Sequence, residues 1–134
     1  MMPTDAERAD ALQSIPLFAG LPQAARQRIV EIAGELEAPA GQVLVQPKTA
    51  GSGMYVVEEG TVAVERDGRT IELGAGQFFG ELALLTDTLR TARVRAKTDA
   101  RLLAIGRDEF KGLVESEPGI ALVMLEVLAK RLAG

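Results

Sequence analysis

The chain has 134 residues, 47% hydrophobic and 25% charged, with a formal net charge of −4. That length and balance suit one globular core, and the acidic excess excludes bulk attraction to DNA, RNA or anionic lipid. Cysteine and histidine are both absent, which removes disulfides, thiolate chemistry, the commonest metal ligand and the usual general base.

No run of about 18 apolar residues occurs, so no membrane span is expected. The opening MMPTDAERAD is acidic and lacks the basic and apolar regions of a secretory signal. A cytoplasmic protein with no membrane association is the expectation.

Thr4, with Glu7 three residues later, forms a capping-box pattern ahead of Ala6, Ala9, Ala11 and Leu12, so a short helix is expected to end before Pro16. Ile15, Leu17, Phe18 and Leu21 make an apolar knot around Gly20, and Pro22 suits the first turn of a second helix. There Ala25, Ile29, Ile32 and Ala33 fall at helical spacing, with Arg26, Arg28 and Glu31 expected on the exposed side. Such helices would pack as a bundle against a sheet.

From Leu36 the texture changes to short apolar runs separated by glycine. Ala40-Gly41 precedes Val43 to Val45, Gly51-Ser52-Gly53 precedes Met54 to Val57, and Gly60 precedes Thr61 to Glu65. Asp67-Gly68 is a strong two-residue hairpin signal, with Thr70 to Leu73 as the return strand. Gly74 and Gly76 then bracket a further turn. Eight or so short antiparallel strands at this spacing predict a closed double-sheet roll.

Residues 78–96 read FFGELALLTDTLRTARVRA. Gly80 permits a tight turn and close approach of a ligand. A helix starting near Leu82 would present unpaired amides, a ready anion site, and Arg90 offers a planar fork of donors to phosphate oxygens. Glu81, in a site that attracts anions, is better suited to accept hydrogen bonds from hydroxyls. These residue types together describe a pocket for a phosphorylated sugar with a free hydroxyl.

Beyond this stretch, Thr91, Arg93, Arg95 and Lys97 alternate with Ala92, Val94 and Ala96, a half-buried strand. The basic residues are read as a solvated strand edge. No aromatic residues interleave with them to stack bases, so no nucleic-acid partner is expected. Arg101 to Ile105 is the next strand and Asp108 to Val114 a short helix, broken by Pro118-Gly119. The last segment, Ile120 to Leu132, is apolar at Ile120, Val123, Met124, Val127, Leu128 and Leu132, one buried stripe of a helix, with Lys130 and Arg131 suiting its carboxyl-terminal dipole.

FGELALL, the eight residues between Glu81 and Arg90, the Arg-Thr-Ala-x-Val that follows, and VRAKT at 94–98 closely resemble the phosphate cassette of cyclic nucleotide-binding domains, above all the effector domain of bacterial catabolite activator proteins. The resemblance implies an antiparallel jelly-roll β-barrel, mainly β, with amino-terminal and carboxyl-terminal helices. It implies one domain over 1–134: helices over 1–34, the roll over 35–106 with its cassette at 78–92, and helices over 107–134. It further implies that Glu81 holds a ribose 2′-hydroxyl, that Arg90 pairs with a cyclic phosphate, and that the amides of Gly80, Leu82 and Ala83 with the Thr91 hydroxyl complete the cradle. Thr91 leaves the base open, so the ligand is cyclic AMP or cyclic GMP.

The sequence departs from the family pattern at Pro47-Lys48-Thr49 and at Leu89, and it stops at Gly134. A monomer without a coiled-coil seam or DNA-reading element is therefore expected. The leading expectation is a non-catalytic sensor that needs no cofactor beyond its ligand and acts on a protein effector. The competing one is an interaction domain that keeps the fold without binding nucleotide. Catalysis is not expected: there is no imidazole to hold a metal and no nucleophile beside a plausible base.

Overall fold

The computed structural model describes residues 4–45, 53–80 and 92–133. Two compact units are present, Ala33–Arg107 and a helical unit of Met1–Ile32 with Asp108–Gly134.

The helical unit begins with α1 (Asp5–Ala11). The Thr4 hydroxyl accepts from the Glu7 amide at 3.1 Å and the Glu7 carboxylate accepts from the Thr4 amide at 3.4 Å, the reciprocal cap expected of this spacing. A 3-10 turn, Leu12–Ser14, carries the chain to Pro16. In α2 (Gln23–Ile32), Pro22 stands just ahead of the first residue, and its carbonyl accepts from the amides of Ala25 and Arg26.

Ala25, Ile29 and Val30 are buried, but so is Arg26, at 6% exposure. That corrects the expectation of an exposed Arg26. Its Nε donates to the Ala9 carbonyl at 3.2 Å and its Nη1 to the Leu21 carbonyl, so the charge is held by main-chain oxygens at the end of α1 and in the loop before α2. Arg28 is exposed as expected, and donates to the Ser116 hydroxyl at 2.7 Å.

Two further helices, α3 (Arg107–Ser116) and α4 (Gly119–Ala133), follow the roll. Phe110, Leu113, Ile120 and Met124 are buried. Leu132, expected in the buried stripe of α4, is 89% exposed, and Leu122 and Leu125 are exposed at 65% and 62%. Spaced three and then seven residues apart, these three share one solvent-facing side of the helix. No described helix is long and apolar enough to cross a membrane.

The other unit is a double-sheet antiparallel roll, as expected. Its strands are β1 (Gly34–Ala38), β2 (Val43–Val45), β3 (Gly53–Glu59), β4 (Val62–Arg66), β5 (Arg69–Leu73), β6 (Phe78–Phe79), β7 (Arg93–Ala96) and β8 (Ala100–Gly106). One sheet runs β1-β8-β3-β6 and the other β2-β7-β4-β5. Every described strand sends a residue into a common core, among them Ala38, Val45, Val57, Val62, Leu73, Phe79, Val94 and Leu102. The strands alternate because one face of each sheet meets that core.

Local chemistry explains the corners. Asp67 and Gly68 have φ of 52° and 75°, the double left-handed turn that matches the twist of the β4–β5 hairpin. At another corner, the Thr98 hydroxyl accepts from the Thr61 amide at 3.0 Å, and Asp99 accepts from the Ala40 amide at 2.9 Å. The amides of Lys97 and Thr98 donate back to the Thr61 carbonyl. VRAKT therefore has a structural reading: Val94 and Ala96 fill the core, and Thr98 ties the β7–β8 turn to the start of β4.

The basic alternation on β7 is real, but β7 is no edge strand: it lies between β2 and β4. Its charges stand on the outer face of the sheet. Arg95 Nε pairs with Glu65 at 2.6 Å and Lys97 Nζ with Glu72 at 2.5 Å, so carboxylates on β4 and β5 meet these cations.

Candidate functional site

The stretch expected to bind an anion falls in the sequence between β6, at the edge of one sheet, and β7, inside the other. Of the six residues assigned to it, Gly80 is described; Glu81, Leu82, Ala83, Arg90 and Thr91 lie outside the described residues. So do the departures at 47–49 and at Leu89.

Gly80 has φ of 83°, a backbone state that costs an L side chain energy and glycine none. The residue that directly follows β6 thus holds a backbone state that favours glycine, in keeping with the tight turn expected at Gly80. The approach to Gly80 is closely held. Gln77 accepts from the Gly74 amide through its side chain at 2.8 Å and donates its own amide to the Gly74 carbonyl at 3.1 Å. The Gly76 amide donates to the Val57 carbonyl and the Val57 amide to the Gln77 carbonyl, both at 2.8 Å. Phe78 and Phe79 then pair with Val56 and Tyr55 on β3, and both phenylalanines are buried.

The Tyr55 and Phe79 rings stack with centroids 5.1 Å apart and planes 19° apart. No sequence pattern pointed to Tyr55. A two-residue strand is too short to show a period, so its partner becomes visible only through the register.

Strand parity also identifies an apolar surface that the residue pattern did not assign. Val62 and Leu73 are a cross-strand pair in the core, and Val64 pairs with both Ile71 and Val94. Val64 and Ile71 therefore face the same side as the core. Val64 packs against it, while Ile71, on the edge strand β5, is 60% exposed. An apolar side chain on the inner face that remains open to solvent is a natural contact for the flat face of a ligand.

A family model described as the cyclic nucleotide-binding domain matches residues 35–117. Among curated relatives, a cyclic nucleotide-gated potassium channel of Rhizobium etli is 36% identical over 121 residues, 90% of this chain and 34% of the channel. A cAMP-dependent protein kinase regulatory subunit of Aspergillus fumigatus is 37% identical over 106 residues, 77% of this chain and 26% of the subunit. The crystal structure of Thermus thermophilus catabolite activator protein superposes with a TM-score of 0.80 at 31% identity, over 88% of this chain and 58% of that one. The chain thus spans about a quarter to a third of the length of these curated relatives.

Proposed function

This chain belongs to the cyclic nucleotide-binding domain family, and from that premise we propose that it is a non-catalytic sensor that binds cyclic AMP or cyclic GMP without altering it chemically. The observation that carries the reading is the left-handed backbone of Gly80, directly after β6 where the cassette pattern begins.

In this proposal Arg90 pairs with the exocyclic oxygens of the cyclic phosphate, and the amides of Gly80, Leu82 and Ala83 donate to the same group. Glu81 accepts from the ribose 2′-hydroxyl, and the Thr91 hydroxyl completes the cradle. The base lies against the apolar inner face, with Val64 and Ile71 as contacts. Phosphate affinity arises from aimed donors, because the net charge of −4 offers no overall attraction.

The absence of histidine from the sequence supports a binding rather than a catalytic role. Lack of cysteine suits the reducing cytoplasm, which we propose as its location. Nucleic acid is no part of the reading, since Arg95 and Lys97 are matched by Glu65 and Glu72. The relatives are a channel and a kinase regulatory subunit, which supports a protein effector as the output.

Thermal melting tests the proposal. Ligand at a hundred times its Kd adds about 2.7 kcal/mol, which raises the Tm of a domain of this size by several degrees. A rise with cyclic AMP or cyclic GMP, and none with 5′-AMP, is the expected result. A flat response to both cyclic nucleotides would instead favour an interaction domain that keeps the fold without the ligand. The exposed Leu122, Leu125 and Leu132 favour that second reading.

A further inference from the structure

We propose that Tyr55 is a positioning residue for Gly80, the first residue of the proposed ligand site: its ring, stacked on Phe79, sets the direction in which the chain leaves β6. The inference rests on the binding reading above for its effect on affinity, but its structural half stands without a ligand.

Three observations lead to it. First, β6 has only two residues and is the outermost strand of its sheet, so among the described strands it is paired on one side alone, with β3. A strand that short holds its direction poorly through main-chain bonds. Second, the approach to β6 is fastened by main-chain bonds, with Val57 joined to Gly76 and Gln77 just ahead of the strand. Third, at the last residue before Gly80 a side-chain contact adds to the main-chain pairing: Phe79 lies directly across from Tyr55, and their rings stack at 5.1 Å. Phe79 is 5% exposed and belongs to the core, and Tyr55 packs against the same core.

An offset pair of rings restricts both distance and tilt, which an aliphatic pair does not. Any rotation of Phe79 about the strand moves the peptide that enters Gly80, the first residue of the proposed phosphate site. Small displacements of positioned donors are costly to recognition. The ring is the working part of Tyr55 in this account, so phenylalanine should replace it and leucine should not.

Three variants separate positioning from simple stability. Tyr55→Phe keeps the ring, Tyr55→Leu removes it, and Leu103→Ala empties a buried position on β8 whose side chain lies on the opposite face of the same sheet. Cyclic AMP and cyclic GMP affinities are measured by calorimetry, global stability by urea unfolding, and amide exchange over residues 76–80 by mass spectrometry without ligand. Tyr55→Phe should bind within twofold of wild type. Tyr55→Leu should bind about tenfold more weakly, about 1.4 kcal/mol, with faster exchange over 76–80. Leu103→Ala should lose at least as much stability, yet bind within twofold and leave that exchange unchanged.

Should Tyr55→Leu not fold, Phe79→Leu removes the same stack from the other side and carries the same expectations. Unchanged exchange over 76–80 on loss of the stack overturns the inference, and so does an affinity loss no larger than that of Leu103→Ala. Failure of the wild-type chain to bind either nucleotide overturns the binding reading, while the exchange result still decides the positioning role.

Discussion

Gly60 lies so close to Asp99 that a Cβ on it would stand 2.3 Å from the Asp99 carbonyl oxygen and 2.9 Å from the Ala100 Cα. Its φ is 87°, and the Thr98 hydroxyl that holds the Thr61 amide would be 3.0 Å from the same Cβ. The β3–β4 and β7–β8 turns of the roll therefore meet at a residue without a side chain. Gly60→Ala combines a left-handed penalty with a backbone clash that no rotamer relieves, a cost of about 2–5 kcal/mol. Gly74→Ala, which meets nothing within 4 Å, should cost less than about 1 kcal/mol. Urea unfolding of the two variants makes the comparison.

The buried guanidinium of Arg26 supplies a second prediction. It is the donor for two carbonyls, Ala9 and Leu21, in a setting only 6% exposed. Arg26→Ala deletes hydrogen bonds from a charged group and leaves those oxygens without it, which costs about 2–4 kcal/mol. The neighbouring Arg28→Ala, from an exposed bond to Ser116, should cost under about 1 kcal/mol. Equal losses in denaturant titrations would show that Arg26 is not held as described.

The two sides of α4 make a third. Met124 is 4% exposed and Leu125 is 62% exposed. Met124→Ala empties core volume and should cost about 2–4 kcal/mol. Leu125→Gln should change stability by no more than about 0.5 kcal/mol. Thermal or chemical melts of the pair check the assignment of faces.

Much of the fold could be read from residue types, wherever the signal is local. Asp67-Gly68 marks its hairpin because two successive left-handed residues are needed there, and Thr4 with Glu7 marks α1 because the reciprocal cap spans three residues. The misread positions have long-range causes. Arg26 looks like a solvent-facing charge on any helical projection, and only the arrival of the Ala9 and Leu21 carbonyls makes its burial tolerable. The basic face of β7 resembles an edge until strand order places it between β2 and β4. For the site, residue type alone marked Gly80 as a place for a backbone state other residues avoid, which its φ of 83° shows. Tyr55 and Ile71 were invisible because pairing and face depend on register, which no single stretch of sequence encodes.

The assignment of Glu81 predicts a preference within the ligand. Removing the hydroxyl it is proposed to hold leaves a carboxylate with an unmet acceptor, a cost of about 1–3 kcal/mol. The 2′-deoxy form of the preferred cyclic nucleotide should therefore bind about 5- to 150-fold more weakly. Equal affinity by calorimetry would remove Glu81 from the site.

The central claim is most directly tested by calorimetric titration of wild type, Arg90→Ala and Arg93→Ala with cyclic AMP and cyclic GMP. Arg93 sits on the exposed outer face of β7, in register with Glu65, and serves as the nearby charge that should not matter. Truncating one partner of a buried charge pair costs about 2–5 kcal/mol, so Arg90→Ala should abolish binding at micromolar ligand while Arg93→Ala binds as wild type does. Two arginine variants that bind the nucleotide equally well would contradict the account.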